Sequence, residues 1–198
     1  MRYFLIPLTF IVLLTACGVD TTGLSDQSSK QPKGSPTASV TVTEYGDFQC
    51  PACKSAHDTI NQPLMQKYGD KIRFTFRQFP LDMHPYALVA AEASECAADQ
   101  GKFWEFVDLD YKEQDQLNAN VLYDWAKVLG LNENTFSRCV RSGIKEKAVK
   151  ADYDEGIKKG VQGTPTYFVS GQRVMKNTLP DEEAAVDAAL KQAEGVPL

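Results

Sequence analysis

The sequence is short of several features that mark common classes of protein. It has only two histidines, and its 21 basic side chains are outnumbered by 26 acidic ones, which gives a formal net charge of −5. Because nucleic acids are bound through clustered lysines and arginines, this charge balance argues against a nucleic-acid partner. The chain of 198 residues is long enough to bury a sizeable core, so its folding does not require a disulfide.

The apolar run near the N-terminus is too short for a membrane span, which needs roughly 20 residues. It lies within residues 1–17, follows a basic residue and ends in small residues, as is typical of an export signal. Its end, Leu14-Thr15-Ala16-Cys17, resembles a bacterial lipobox. We therefore expect residues 1–16 to be removed as a signal peptide and Cys17 to carry a lipid anchor. A plain secretory signal with an incidental cysteine is the alternative.

Residues 17–39 are rich in Ser, Thr, Gly, Pro and charged side chains and show no sustained apolar period. This composition predicts a flexible tether to a folded domain over residues 40–198. The predicted location is the cell envelope, at the membrane surface, where an oxidising environment lets disulfides persist. With Cys17 lipidated, four cysteines are left that can form two pairs. They are Cys50, Cys53, Cys96 and Cys139.

The order of predicted elements is that of an α/β protein. Residues 40–45 and 71–77 alternate as strands do, and a helix between them begins at Cys50 and kinks at Pro63, so we expect a βαβ unit. A helical block follows, with helices predicted over residues 86–100, 103–111, 119–129, 133–140 and 144–158. A hairpin over residues 166–175 and a helix over residues 181–190 end the predicted fold.

The motif Cys50-Pro51-Ala52-Cys53 begins the first predicted helix. Because the N–H groups at a helix N-terminus stabilise a thiolate, Cys50 is expected to be the accessible, acidic cysteine and Cys53 the buried one that resolves a mixed disulfide. A zinc site is the competing interpretation, because His57 shares the helix face. A structural zinc site takes four ligands, often as two short-spaced pairs, and the sequence has no second such pair. We therefore expect no metal and a solvent-facing His57.

Four motifs, and their order along the chain, resemble those of a known family. They are Glu44, Phe48-Gln49-Cys50-Pro51-Ala52-Cys53, Gly101-Lys102-Phe103-Trp104-Glu105 and Gly163-Thr164-Pro165-Thr166-Tyr167-Phe168. With them, nearly everything after residue 39 resembles the DsbA-like thiol:disulfide oxidoreductases of bacterial envelopes. The resemblance implies a thioredoxin-like α/β fold with a helical subdomain inserted at about residues 84–160, and no cofactor.

The resemblance also implies a role for each site residue. Cys50 would be the nucleophile and Cys53 the resolving cysteine. Pro165 would be a cis-proline whose bond turns the backbone of Thr164 toward the pair. Glu44 would be a buried acid beneath the cysteines, and since a carboxylate among apolar strand residues is costly, its pKa should be raised, which suits a proton acceptor for Cys53. An exposed glutamate on an edge strand is the alternative.

The predicted function is an oxidase that donates the Cys50–Cys53 disulfide to thiols of exported proteins and is reoxidised by a membrane redox partner. The chain has no histidine between these cysteines, unlike the best-known oxidases of the family, so a weaker oxidant is expected. A reductase or isomerase on the same scaffold and a non-enzymatic binding module or chaperone are the alternatives. Cys96 and Cys139 fall in predicted helices and are expected to form a structural disulfide. Two separately buried thiols are the alternative for them.

Overall fold

The computed structural model describes residues 18–195. The predicted signal peptide and Cys17 lie outside the described residues. The described chain contains a mixed sheet in the order β1-β3-β2-β4-β5, in which β2 and β3 are parallel and the other neighbours antiparallel. The strands are β1 (Lys33–Gly34), β2 (Val40–Gly46), β3 (Ile72–Gln78), β4 (Thr166–Val169) and β5 (Gln172–Arg173).

Strands β2 and β3 form the centre of the sheet and are connected by helix, which confirms the predicted βαβ unit. In β3, Ile72, Phe74 and Phe76 are buried and alternate with partly exposed side chains, as the sequence predicts. The register pairs Val42 with Phe74 and Glu44 with Phe76. Because side chains on a strand alternate between faces, Glu44 shares its face of the sheet with apolar neighbours.

The helix that follows the cysteines is interrupted. Its parts are α1 (Pro51–Ala56), a π-helical turn (His57–Asn61) and α2 (Gln62–Tyr68). The Gln62 N–H donates to the His57 carbonyl, and the next residue, Pro63, has no N–H to continue the regular pattern. The kink predicted at Pro63 therefore takes the form of a π-helical turn just before it.

A helical insertion lies between β3 and β4, as the predicted fold class requires. Its helices are α3 (Ala87–Ala98), α4 (Phe103–Lys112), α5 (Val121–Val128), α6 (Glu133–Ser142) and α7 (Glu146–Lys158), with a 3-10 turn at Gln114–Gln116. Cys96 of α3 and Cys139 of α6 are joined by a disulfide whose Cα atoms are 5.9 Å apart. Phe48, two residues before the active-site cysteine, belongs to the same apolar core as this disulfide. The insertion is therefore packed directly against the loop at residues 47–50, between β2 and the first helix, which we call the redox loop.

The chain returns to the sheet through β4 and β5, joined by Ser170 and Gly171 at positive φ. The final helix, α8 (Leu179–Ala193), packs on β2 and β4. It begins two residues earlier than predicted because the Thr178 side chain accepts the Asp181 N–H and caps it there. Within residues 18–195, no helix is both long enough and apolar enough to cross a membrane.

Residues 18–39 lie against the domain, whereas their composition predicts a flexible tether. Strand β1 pairs with β3, and the Trp104 Nε1–H donates to the Gln31 carbonyl at 2.8 Å. The side chain of Lys30 is 8% exposed and lies between the carboxylates of Glu95 and Asp152. These contacts are polar and join residues far apart in sequence, so apolar periodicity, on which the prediction relied, does not detect them.

Candidate active site

Cys50 lies at the N-terminus of α1, just before its first residue. Its backbone is extended, and its carbonyl accepts the N–H of Cys53 at 3.0 Å and of Lys54 at 3.2 Å. Pro51 occupies the first helical position, where a missing N–H costs nothing. Cys50 is 6% exposed and Cys53 is 0% exposed. Of the two sulfurs, that of Cys50 is therefore the one a partner can approach.

The two thiols differ strongly in acidity. A hydrogen bond from Cys53 lowers the pKa of Cys50 to about 5 against the opposing effect of burial, and Thr164 and the backbone N–H groups of Cys53 and Ala52 lower it further. Burial raises the pKa of Cys53 well above its ordinary value, and the bond to Cys50 and the charge of Glu44 add to this. The cysteines are unbridged in the structure. Near neutral pH the reduced pair therefore holds one thiolate and one thiol.

The loop before β4 lies against Cys50. The Thr164–Pro165 peptide bond is cis, and the Thr164 carbonyl oxygen lies 3.5 Å from Cys50 Sγ, whose thiol form donates a hydrogen bond to it. The Asn177 Nδ2–H group donates to the Pro165 carbonyl at 2.6 Å and holds the loop from its other side. Cys50 and Thr164, 114 positions apart in sequence, are thereby brought together at one site.

Glu44 lies at the centre of the sheet and is completely buried. Its strand has a neighbour on each side, so the alternative of an exposed glutamate on an edge strand is wrong. Asn61 Nδ2–H donates to Glu44 Oε2 at 2.8 Å, and Tyr167 O–H donates to Asn61 Oδ1 at 2.7 Å. Glu44 Oε1 has no hydrogen-bond partner among the described residues. Burial raises the pKa of Glu44 to about 8, so the carboxyl group is largely protonated at neutral pH.

Three residues of the site are not identified by the sequence analysis. Asn61 and Tyr167 form the hydrogen-bonded chain beside Glu44, and Gln114 of the insertion donates from Nε2 to the carbonyls of Phe48 at 2.8 Å and of Cys50 at 3.1 Å. Tyr167 lies inside one of the four motifs, and Asn61 is a polar residue at a buried helix position, which is a weak signal. No local pattern marks Gln114, because its partners come from another part of the chain.

Asp47 organises the loop that precedes Cys50. Its Oδ1 accepts the Gln49 N–H at 2.7 Å, and its Oδ2 accepts the Leu81 N–H at 2.8 Å. The same Oδ2 lies 2.8 Å from Nδ1 of His84. These bonds tie the redox loop to the segment that follows β3.

His57 is buried, and the prediction that it faces solvent is wrong. It is 6% exposed. Its Nε2 lies 3.3 Å from Asp108 Oδ1, and its ring centre is 5.1 Å from that of Tyr111. Both partners belong to α4, so the helical insertion covers a helix face that would be exposed without it.

Comparisons with known proteins agree with this fold. A family model described as thioredoxin matches residues 29–190, and the chain belongs to that family. Among solved structures, oxidised BdbD from Bacillus subtilis is similar with a TM-score of 0.75 and 25% identity, over 84% of this chain and 97% of that one. Wolbachia pipientis α-DsbA1 is similar with a TM-score of 0.70 and 24% identity, over 83% and 93% of the respective chains.

A curated relative has a different kind of name. The chain is 40% identical over 149 residues to a Salinispora arenicola protein named Na(+)/H(+) antiporter NhaA 1, and the match covers 75% of this chain and 22% of that protein. The chain therefore spans about a fifth of the length of the curated relatives it matches.

Family, fold and site together define the class. The chain has the thioredoxin fold with the helical insertion of DsbA-like thiol-disulfide oxidoreductases. Its cysteine pair lies at the start of the helix that follows β2, beside a cis-proline loop.

Proposed function

We propose that this protein exchanges disulfides with exported proteins and that it acts as an oxidase, giving its Cys50–Cys53 disulfide to pairs of thiols. The observation that carries the proposal is the difference in acidity within the pair. The pKa of Cys50 is lowered to about 5, whereas burial raises that of Cys53. A thiolate that is stable in the reduced protein makes the disulfide form the one that is readily given up.

The reaction begins when a substrate thiolate attacks Cys50 Sγ. A substrate–Cys50 bond forms, the Cys50–Cys53 bond breaks, and Cys53 takes up a proton because its thiol form is favoured by burial. A second substrate thiolate then attacks the substrate sulfur of the mixed disulfide, and Cys50 leaves as a thiolate. The substrate has lost two electrons to the cysteine pair, which a membrane redox partner would have to remove.

Glu44 is the proposed proton donor and acceptor for Cys53. It is protonated near neutral pH, since burial raises its pKa to about 8. It therefore has a proton to give when Cys53 leaves as a thiolate, and it can take that proton back when Cys53 attacks. Its charge contributes to the raised pKa of Cys53, which supports a close electrostatic coupling of the two groups.

The proposed export and membrane anchoring of the protein would place it where it meets exported substrates. The proposed location is the outer side of a membrane in the cell envelope, with Cys17 lipidated. Because residues 18–39 lie against the domain, such an anchor would hold the folded body close to the bilayer and leave it little free tether. The Na(+)/H(+) antiporter name of the relatives adds nothing to this proposal, because the match covers only about a fifth of those proteins.

Equilibration of the described domain with glutathione tests the direction of electron flow. We expect a potential more positive than about −200 mV, whereas a value near the roughly −270 mV of thioredoxin would point to a reductase. The matched variant is Ala52→His, at an exposed position between the cysteines. An imidazolium there should stabilise the Cys50 thiolate and make the potential more positive. A variant with an unchanged potential would contradict the thiolate argument.

A further inference from the structure

Once Glu44 has given its proton to Cys53, it is a carboxylate in a completely buried position, and this charge is costly until a proton reaches it from solvent. A small cavity of about 20 Å³ lies beside it. We call it the inner cavity, and its lining includes Glu44, His57, Asn61, Lys33, Trp104 and Val107. That volume has room for one water molecule, and the polar side chains of Glu44, His57 and Asn61 offer it hydrogen-bond partners within a mainly apolar lining. The inner cavity therefore connects the Glu44 carboxyl group with the ring of His57.

His57 also lines a second cavity, which is open to solvent. This outer cavity has a volume of about 600 Å³ and is also lined by Asp108 and Tyr111 of α4. Asp108 lies 3.3 Å from His57 Nε2 and is half-exposed. His57 thus borders both the outer cavity and the water-sized space beside Glu44.

We propose that His57, positioned by Asp108, relays protons between solvent and Glu44 across the inner cavity. The inference rests on the proposed role of Glu44 in the exchange reaction. Imidazole suits the task because it can both give and take a proton near neutral pH through two separate nitrogens. His57 does not touch the cysteines, so it acts through Glu44.

Each group in the relay regains the proton that it gives. After Glu44 has given its proton to Cys53, the carboxylate takes one from the water in the inner cavity. That water takes a proton from protonated His57, and the neutral ring regains one from solvent beside Asp108. The net change is one proton moved from solvent to Cys53, with no electron transferred in the relay. Reoxidation of the cysteine pair uses the same route in reverse.

Several ionisable groups line the cavities around the ring. Helix α4 contributes Asp108, Tyr111 and Lys112, β1 contributes Lys33, and β2 contributes Glu44. Lys54 and Asp58, from the same helical segment as His57, line the outer cavity with them. Lys33 lies 3.7 Å from Asp108 Oδ1, so a cation from the N-terminal segment shares the carboxylate that positions His57.

Chemical rescue distinguishes a relay from a structural histidine. In His57→Ala, we expect the proton-dependent step of exchange to slow by roughly tenfold at pH 7. This is less than the effect of removing a direct acid–base group, because water that enters the vacated space still carries some protons to Glu44. The equilibrium constant with glutathione should stay the same, because a relay changes forward and reverse rates equally. Millimolar imidazole, which can enter through the outer cavity, should restore the rate. His84→Ala, the other histidine, should show no imidazole dependence.

A second variant keeps the test decisive if His57→Ala unfolds. His57→Phe retains an aromatic ring against Tyr111 and fills the space, so it should be slow and should not respond to imidazole. A normal rate in His57→Phe, or a shifted equilibrium constant in either folded variant, overturns the relay. Glu44→Gln separates the two proposals. A slow Glu44→Gln with a normal His57→Phe rejects the relay alone, whereas a normal Glu44→Gln rejects the role of Glu44 itself.

Discussion

The two cysteine pairs of this protein have similar burial and different chemistry. Cys96 and Cys139 are 1% and 2% exposed and joined by a disulfide, while Cys50 and Cys53 are 6% and 0% exposed and unbridged. Cys96 and Cys139 lie within helices α3 and α6, among apolar side chains of the insertion. The other pair begins a helix and lies near Thr164 and Glu44. Reactivity therefore follows from local electrostatics more than from exposure.

The largest expected effect comes from removing one cysteine of the reactive pair. Cys53→Ser should abolish turnover. Its Cys50 thiolate should attack a peptide that carries a disulfide, release one peptide thiol and accumulate as a mixed disulfide, because no Cys53 remains to resolve it. Cys50→Ser should also be inactive but should form no such adduct, because it lacks the nucleophile. Non-reducing electrophoresis and mass spectrometry measure both outcomes. Equal adduct formation by the two variants would contradict the assigned order of attack.

Removing the other pair should affect stability instead of activity. Cys96 and Cys139 are 43 positions apart, and closing a loop of this size corresponds to about 4 kcal/mol in the chain-entropy model. The double variant Cys96→Ala/Cys139→Ala should lose stability of this order and keep its exchange rate per folded molecule. Denaturant unfolding measures the loss. Peptide mass spectrometry shows whether Cys96 and Cys139 are linked in the wild type. Two free thiols there would contradict the assignment of this pair as a structural disulfide.

The pH dependence of stability should also separate the two pairs. Since the folded-state pKa of Cys50 is lowered to about 5, its thiolate contributes stability that is full above the unfolded pKa of about 8.5 and is lost as pH falls through 5. At pH 7, roughly two units above the folded value, the contribution is about 3 kcal/mol. It exists only in the reduced form, so the oxidised form should be less stable at pH 7.

Thermal unfolding of both redox forms at pH 5 and pH 7, with Cys96–Cys139 kept intact, measures this effect. The difference between the forms should shrink at pH 5, where the Cys50 thiolate is being lost. The Cys96–Cys139 disulfide does not titrate, so its contribution should not vary in this way. An oxidised form more stable than the reduced one at pH 7 would argue against the oxidase.

A smaller effect is expected for Glu44→Gln, which keeps the side-chain shape and removes the proton. Exchange should slow by roughly a hundredfold near pH 7, because Cys53 loses its proton partner. The wild type should also lose stability as pH rises from 4.5 through about 8, since the folded-state pKa of Glu44 is raised. The variant should lack this loss. Stopped-flow measurement of the exchange rate and denaturant unfolding, each as a function of pH, test the two expectations. Identical pH profiles for the wild type and Glu44→Gln would contradict the role of Glu44.

The smallest expected effect on redox chemistry comes from Cys17, the remaining cysteine. Cys17→Ser should prevent lipid attachment and move the protein out of the membrane fraction. It should leave the exchange rate of the purified domain unchanged, because residues 29–190 contain the matched family domain. Mass spectrometry and fractionation check the anchor. Lipid found on the Cys17→Ser protein would show that the lipobox interpretation is wrong.

Much of the fold follows from the sequence alone, because it depends on local patterns. Alternating apolar residues predict β3, helical spacing and glycine stops predict α3 to α7, and a short-spaced cysteine pair after a strand predicts the active-site helix. The order of the four motifs also brings Pro165 into the prediction of the site. These signals are local because hydrogen bonds within a helix and side-chain alternation along a strand involve residues close in sequence.

Only the tertiary structure decides the environment of each group. Helix α4 buries His57, Asn61 and Tyr167 surround Glu44, and Lys30 pairs with Glu95. Each of these contacts joins segments that are distant in sequence, and the pKa values depend on how completely their packing removes water. The sequence by itself determined that a reactive cysteine pair begins a helix. The packed insertion and the N-terminal segment decided which acids are buried beneath that pair and by which route they reach solvent.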